Sequence, residues 1–410
     1  MATSLFDDSQ QGADRQRPQT GLVLTGGGAR AAYQVGVLRA VFKILDPASH
    51  PGFRNPFPII CGTSAGAINA AALACRADRP HMAARRTQRL WESLHTNMIY
   101  RADAPGLIKT GVRWLGLLAL GWMFAGLGRE RPRSLLDNRP LAELLAGALD
   151  FDHLHANLQH DALSALAITA SGFTTGEHLT FYQANRAIHP WRRSLRRALP
   201  VKIGVEHLLA SSSIPLVFPA QSVDVQGQRE WCGDGSMRQL APISPAIHLG
   251  AERVLVIGTS FQDDTHPEKR EGAPPYPSLA QVGGHVLSSI FIDGLEADVE
   301  RLQRLNELVG HIGHDPAVPG GIRRVDVLTL TPSQSLDVLA LDYLSEIPLE
   351  ARTLFRVLGV SSDPDHSGGG ALMSYLLFEG AYTRRLIELG YADTMRRSEE
   401  VAGFFKEGQA

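Results

Sequence analysis

"IICGTSAGAINAA", residues 59–71, changes character twice within thirteen positions. It opens on Ile59, Ile60 and Cys61, the end of a short apolar run "FPIIC" that suits a buried strand. It closes on alanine-rich residues, continued as "AINAAALACRA" (67–77), that suit a helix. Between them lies Gly62-x-Ser64-x-Gly66. A tight strand-to-helix turn pushes its central side chain out of the sheet, and glycines two before and two after leave room for the backbone to close around it. A serine there sits at a helix N-terminus, where amide N–H groups and the helix dipole favour negative charge. Ser64 is therefore the candidate nucleophile.

The same plan occurs once before. "GLVLT" (21–25) reads as a strand, Gly26, Gly27 and Gly28 break it, and "ARAAYQVGVLRAVFKIL" follows with Tyr33, Val37, Val41 and Leu45 on one helical face. Two successive strand–helix units predict an α/β fold with a parallel sheet. Further strands are expected at 163–173, 178–183, 229–234, 253–260 and 323–332, and a long helix at 278–309. The Pro-rich charged run 263–278 is the linker candidate. The organisation read from this is a disordered tail over 1–20, a catalytic domain over 21–262 with an apolar insert near 100–160, and a mainly helical region over 279–410 that packs on or completes it.

The glycine loop has two readings. G-x-G after a strand also opens dinucleotide-binding folds, and Ala31 stands where that fingerprint accepts alanine. No acidic residue ends a second strand at the spacing that fold needs, since Asp46 is followed at once by Pro47. Alternatively, the consecutive amides form an oxyanion hole, donors aimed where a carbonyl oxygen becomes negative. Arg30 beside the loop could hold a phosphate or brace the loop. In "WCGDGSM" (231–237), Asp234 follows a short strand and precedes Gly235. A carboxylate there could take the serine proton, the more so if burial raises its pKa.

Together the three segments resemble the patatin-like phospholipase family, over roughly residues 21–250. That family combines a G-G-G-x-R/K-G loop, a G-x-S-x-G elbow and a distant D-G-G or D-G-A, matched here by Gly26–Ala31, Gly62–Gly66 and Asp234–Ser236. "SSSIPLVFPA" (211–220) also looks like the family's segment before the aspartate. Ala31 and Ser236 depart from the pattern, both as small residues. The resemblance implies a three-layer α/β/α fold and a Ser64–Asp234 dyad without histidine. It implies an oxyanion hole at Gly26, Gly27 and Gly28, and supporting roles for Arg30, Gly62, Gly66 and Gly235. The reaction it implies is hydrolysis of phospholipid or other acyl-lipid esters with no metal or organic cofactor.

Three competing readings remain. An acyltransferase would use the same acyl-enzyme; a nucleotide-binding or scaffold protein would use the loop alone; an α/β-hydrolase triad would recruit His248 or His285. The net charge of -2 excludes a global field for nucleic acid. Three cysteines without CxxC spacing give neither a disulfide framework nor a zinc site. The opening residues lack a secretory pattern and predict a cytoplasmic protein. The uncharged stretch 114–128 is shorter than the ~20 residues that span a bilayer. Flanked by arginines up to Arg133, it is either a buried helix or a peripheral membrane contact.

Overall fold

The computed structural model describes residues 19–101, 134–261, 278–312, 323–347 and 369–406, with a few single positions between them. The predicted tail up to residue 18, the apolar stretch 114–128 with its arginine flank, and the linker over 263–275 lie outside the described residues.

Ten strands form one sheet: β1 (Thr20–Leu24), β2 (Ile59–Thr63), β3 (Ala165–Gly172), β4 (His178–Ala184), β5 (Arg192–Arg193), β6 (Arg196–Pro200), β7 (Gln221–Val225), β8 (Gln228–Asp234), β9 (Arg253–Ile257) and β10 (Asp326–Leu330). The order is β10-β9-β1-β2-β3-β4-β6-β5, with β8 added to β3 and β7 to β8. From β10 through β3 every pairing is parallel, so the C-terminal ends of five strands share one edge. The chain leaves β1 toward β2 and β3, then returns to β1's other side with β9 and β10. The loops after β1, β2 and β9 thus meet at a topological switch point, where open α/β sheets bind their ligands.

Strand alternation sends successive side chains to opposite faces, and here both faces are covered. Leu22, Leu24, Ile60, Leu255 and Ile257 join the core of α1 (Ala32–Leu45) and α2 (Ala65–Ala74). Val23, Cys61, Val254 and Val256 join a second core with Ala246 of the helix Ser244–His248 and Val299 and Leu302 of the helix Leu279–Ile312. The result is a three-layer α/β/α architecture around a mostly parallel sheet.

Periodicity predicts one buried face for α1, but the helix is buried nearly all round. The cause is the helix Gly380–Arg396, which lies against it through paired glycines. A Cβ on Gly36 would stand 2.0 Å from the Ile387 carbonyl oxygen, and one on Gly390 would stand 2.2 Å from that of Tyr33. The basic run 191–199 forms the β5–β6 hairpin, with Arg192 and Arg193 exposed. Its Ala198 and Leu199 are buried because β6 extends the sheet beside β4. Among the described residues, no helix is long and apolar enough to cross a membrane.

Candidate active site

The strand registers bring two distant segments head to head. β2 runs along one side of β3 as far as the pair Thr63–Thr169. β8 runs the opposite way along β3 and stops at Ala170–Asp234. Since β4 occupies the other side of β3 at Ala170, β8 takes up the space beyond the end of β2. Ser64 and Asp234, 170 positions apart in the chain, meet there: the Ser64 hydroxyl donates to Asp234 Oδ2 at 2.6 Å.

The turn that carries Ser64 is strained. Its φ is 56° and its ψ −129°, a conformation that costs a non-glycine residue about 1–3 kcal/mol. Compression around the turn explains its glycines. A Cβ on Gly62 would lie 2.6 Å from the Gly66 carbonyl oxygen, and one on Gly66 would lie 2.4 Å from the carbonyl oxygens of both Leu24 and Thr25. The second contact also puts the loop after β1 directly beside the first turn of α2. Those neighbours are backbone atoms that cannot swing aside, so Gly66→Ala is expected to lower unfolding free energy by about 3 kcal/mol or more, read by chemical denaturation. An unchanged midpoint would mean the turn relaxes freely.

Asp234 is completely buried and its carboxylate is spoken for on both sides. Oδ2 accepts from Ser64, and Oδ1 accepts from the Ser236 amide at 2.9 Å. Burial raises its pKa to about 6, with the bonds from Ser64 and Ser236 opposing that shift. The backbone around it is pinned: its amide donates to the Ser213 carbonyl, and the Gly235 amide donates to that of Ser211. A Cβ on Gly235 would stand 2.1 Å from the Thr169 carbonyl oxygen. Buried His178 bonds the Gly235 carbonyl through Nε2 at 3.0 Å, and desolvation lowers its pKa to about 4. It is therefore neutral near pH 7 and donates to that carbonyl.

The loop Gly26–Gly28 is anchored at each end. Thr259 donates to the Gly26 carbonyl at 2.7 Å, and a Cβ on Gly27 would collide with the same threonine. Gly28 has φ +54°, and its α-carbon abuts the Tyr375 carbonyl. Among the described residues, no acceptor takes the amides of Gly27 and Gly28. Ala31, which departs from the family pattern, has φ −64°, so that position needs no glycine. Arg30 is turned into the protein. It bonds Ser374 at 2.8 Å and Asp337, and it stacks on Tyr375 at 3.8 Å. Of its two sequence readings, brace and phosphate holder, these contacts fit the brace.

Several site residues escape sequence reasoning. Ser211 Oγ accepts the Ser64 amide at 2.8 Å and is wholly buried. Gln34 and Asn69 bond each other, and they hold the carbonyls of Thr25 and Ala31. Trp91 donates to Asn69 in turn. Thr63 meets Thr169 at 2.7 Å and accepts from Gln239 at 2.8 Å. Ser211 lies inside "SSSIPLVFPA", the one signal that pointed at its neighbourhood. The histidines of the triad reading lie elsewhere. His248 stacks on Trp191 and bonds Ser244, while exposed His285 sits on the helix Leu279–Ile312. Neither bonds Ser64 or Asp234. Asp46, the acid passed over for the dinucleotide fingerprint, accepts from His50 and His81.

The family model "Patatin-like phospholipase" matches residues 22–247, more than half of the 410-residue chain. No curated protein matches it. Three solved structures show similarity at low identity. VipD from Legionella pneumophila is 12% identical, with 91% of this chain and 67% of that chain covered at a TM-score of 0.28. Human GIVD cytosolic phospholipase A2 is 12% identical, with 97% and 64% covered at 0.42. The type III effector protein ExoU is 15% identical, with 91% and 54% covered at 0.31. The chain thus spans 54% to 67% of the length of these proteins.

Proposed function

The chain belongs to the patatin-like phospholipase family, and from that premise we propose that it is a lipid acyl hydrolase working through a Ser64–Asp234 dyad and an acyl-enzyme. The observation that carries the reading is the 2.6 Å bond from a strained, helix-N-terminal serine to a buried carboxylate.

In this mechanism the Asp234 carboxylate takes the Ser64 proton as Oγ attacks the ester carbonyl carbon. The carbonyl π electrons move onto oxygen, and the amides of Gly27 and Gly28, aimed by Thr259 and the Gln34–Asn69 pair, receive that charge. Collapse breaks the bond to the alcohol, which leaves with the proton held on Asp234. Water then enters, gives its proton to Asp234 and releases the fatty acid, and Ser64 recovers its hydrogen. No step needs a metal or an organic cofactor. The nucleotide-loop reading fits less well, because Gly28 abuts the chain's own backbone at Tyr375.

The direct test is covalent trapping. After incubation with a chromogenic long-chain acyl ester and an acid quench, the peptide containing Ser64 should gain the mass of the acyl group. An adduct on another residue, or turnover without any adduct, would overturn the assignment.

Ser211 gives a graded prediction. Ser211→Ala leaves the buried Ser64 amide without its acceptor, at a cost of about 1–3 kcal/mol, and loosens the nucleophile. Turnover number should fall roughly tenfold with little change in KM. A pure KM effect would show that Ser211 acts on substrate binding.

A further inference from the structure

The sheet edge that presents Ser64 also presents apolar side chains that the proposed chemistry does not use. Leu216 and Leu240 are each 70% exposed, Leu195 59% and Phe173 48%. Each is tied to that edge. Leu216 follows Ser213, whose carbonyl holds the Asp234 amide, and its own carbonyl accepts from Leu135. Leu240 adjoins Gln239, which donates to Thr63. Leu195, at the tip of the β5–β6 hairpin, accepts from the His178 amide where β4 begins. Phe173 follows β3 and lies against Gly233.

Two of the four occupy positions that disfavour leucine. Leu195 has φ 55° and Leu216 φ 66°, the left-handed region. A bulky side chain is disfavoured there, and glycine or asparagine is the ordinary choice. Such residues contribute little to the fold while exposed, so their aliphatic character points to a use outside it.

The hairpin that carries Leu195 is rich in arginine. Leu195 lies within "RRSLRR" (192–197), between two pairs of arginines. Arg192 pairs with Glu177, and Arg197 bonds Gln226. Arg193 bonds only a backbone carbonyl, and among the described residues neither it nor Arg196 stands within ion-pair distance of a carboxylate, although the charge of Arg196 acts on the Asp298 carboxyl from farther off. Exposed Arg238, next to Gln239, likewise bonds a carbonyl, that of Gly176.

We propose that this edge docks onto an anionic lipid surface, Leu195 and Leu216 inserting among the acyl chains while Arg193 and Arg196 meet the head groups. An exposed aliphatic tip flanked in sequence by arginines suits a bilayer interface, where acyl chains lie below anionic head groups. A nucleic acid would use the arginines and gain nothing from the leucines. The proposal rests on the lipid hydrolase reading for its purpose, since it brings Ser64 to its substrate.

The test uses the Ser64→Ala protein, which leaves vesicles intact, in co-sedimentation with phosphatidylcholine vesicles with and without phosphatidylserine. Binding should require the anionic lipid. Leu195→Asn with Leu216→Asn should lower the partition coefficient about tenfold or more, and Arg193→Gln with Arg196→Gln about tenfold, with a flatter salt dependence. Asparagine tolerates positive φ, so the leucine variant should melt no lower than its parent. Equal binding to both vesicle types, or unchanged partition in either double variant, overturns the docking. So does binding to duplex DNA that ignores the leucines while vesicles go unbound. The hydrolase reading fails separately, if the Ser64→Ala protein retains esterase activity, and that result would leave the vesicle measurements standing.

Discussion

Ser64→Ala should reduce hydrolysis of a soluble short-chain acyl ester by about four orders of magnitude, or to background. The methyl group keeps the volume of the turn, so the loss isolates the hydroxyl. The variant should also stay folded, giving up one hydrogen bond to Asp234 worth on the order of 1 kcal/mol. Ser64→Gly is equally inactive but separates strain from chemistry. Glycine adopts a φ of 56° freely, so its variant should be more stable than the alanine one by about 1–2 kcal/mol, measured by denaturant unfolding. Substantial turnover by folded Ser64→Ala would end the nucleophile assignment.

Asp234→Asn should cost several orders of magnitude in turnover, because an amide cannot take the serine proton. As the proposed base, Asp234 works only when ionised. With a pKa of about 6 in the free enzyme, kcat/KM should rise tenfold per unit up to that pH and level off above it. Stability should run the other way. Burial raises the folded pKa above the ordinary carboxylate value, so the native state holds a proton that the unfolded chain has already released. The group's favourable contribution is complete below the unfolded pKa near 3.8 and is lost as pH rises through about 6, by something of order 3 kcal/mol. Asp234→Asn has no proton to lose, so at pH 8 it should melt at or above its parent while remaining inactive. His248→Ala and His285→Ala should each keep most activity. A histidine change as damaging as Asp234→Asn, in a folded protein, would replace the dyad with a triad.

Some of the site was legible because it is written in local backbone constraint. Gly62 and Gly66 are needed where the elbow closes on itself and on the loop after β1, and that need depends on a few neighbouring residues. The ordered trio of glycine loop, serine elbow and Asp-Gly turn could be read off the chain for the same reason. The strands β1, β2, β3 and β9 were visible too, since a strand buried on both faces is a continuous apolar run.

What stayed hidden depends on partners far away in sequence. Ser211, Thr259, Gln34, Asn69 and His178 are ordinary polar residues until the fold supplies the atom each must bond. Ser211 finds the Ser64 amide 147 positions away, and Thr259 finds the Gly26 carbonyl 233 positions away. Arg30 reads equally as a phosphate ligand or a brace until Asp337, Ser374 and Tyr375 arrive from the C-terminal region. By itself, then, the sequence determined the α/β class, the family motifs and the positions where only glycine fits, because these follow from short-range sterics and periodicity. The tertiary structure alone decided that α1 is covered on both sides, that β8 runs head-on into β2, and that Ser64 touches a carboxylate whose burial raises its pKa. Those outcomes depend on packing between segments whose separation along the chain carries no local signal.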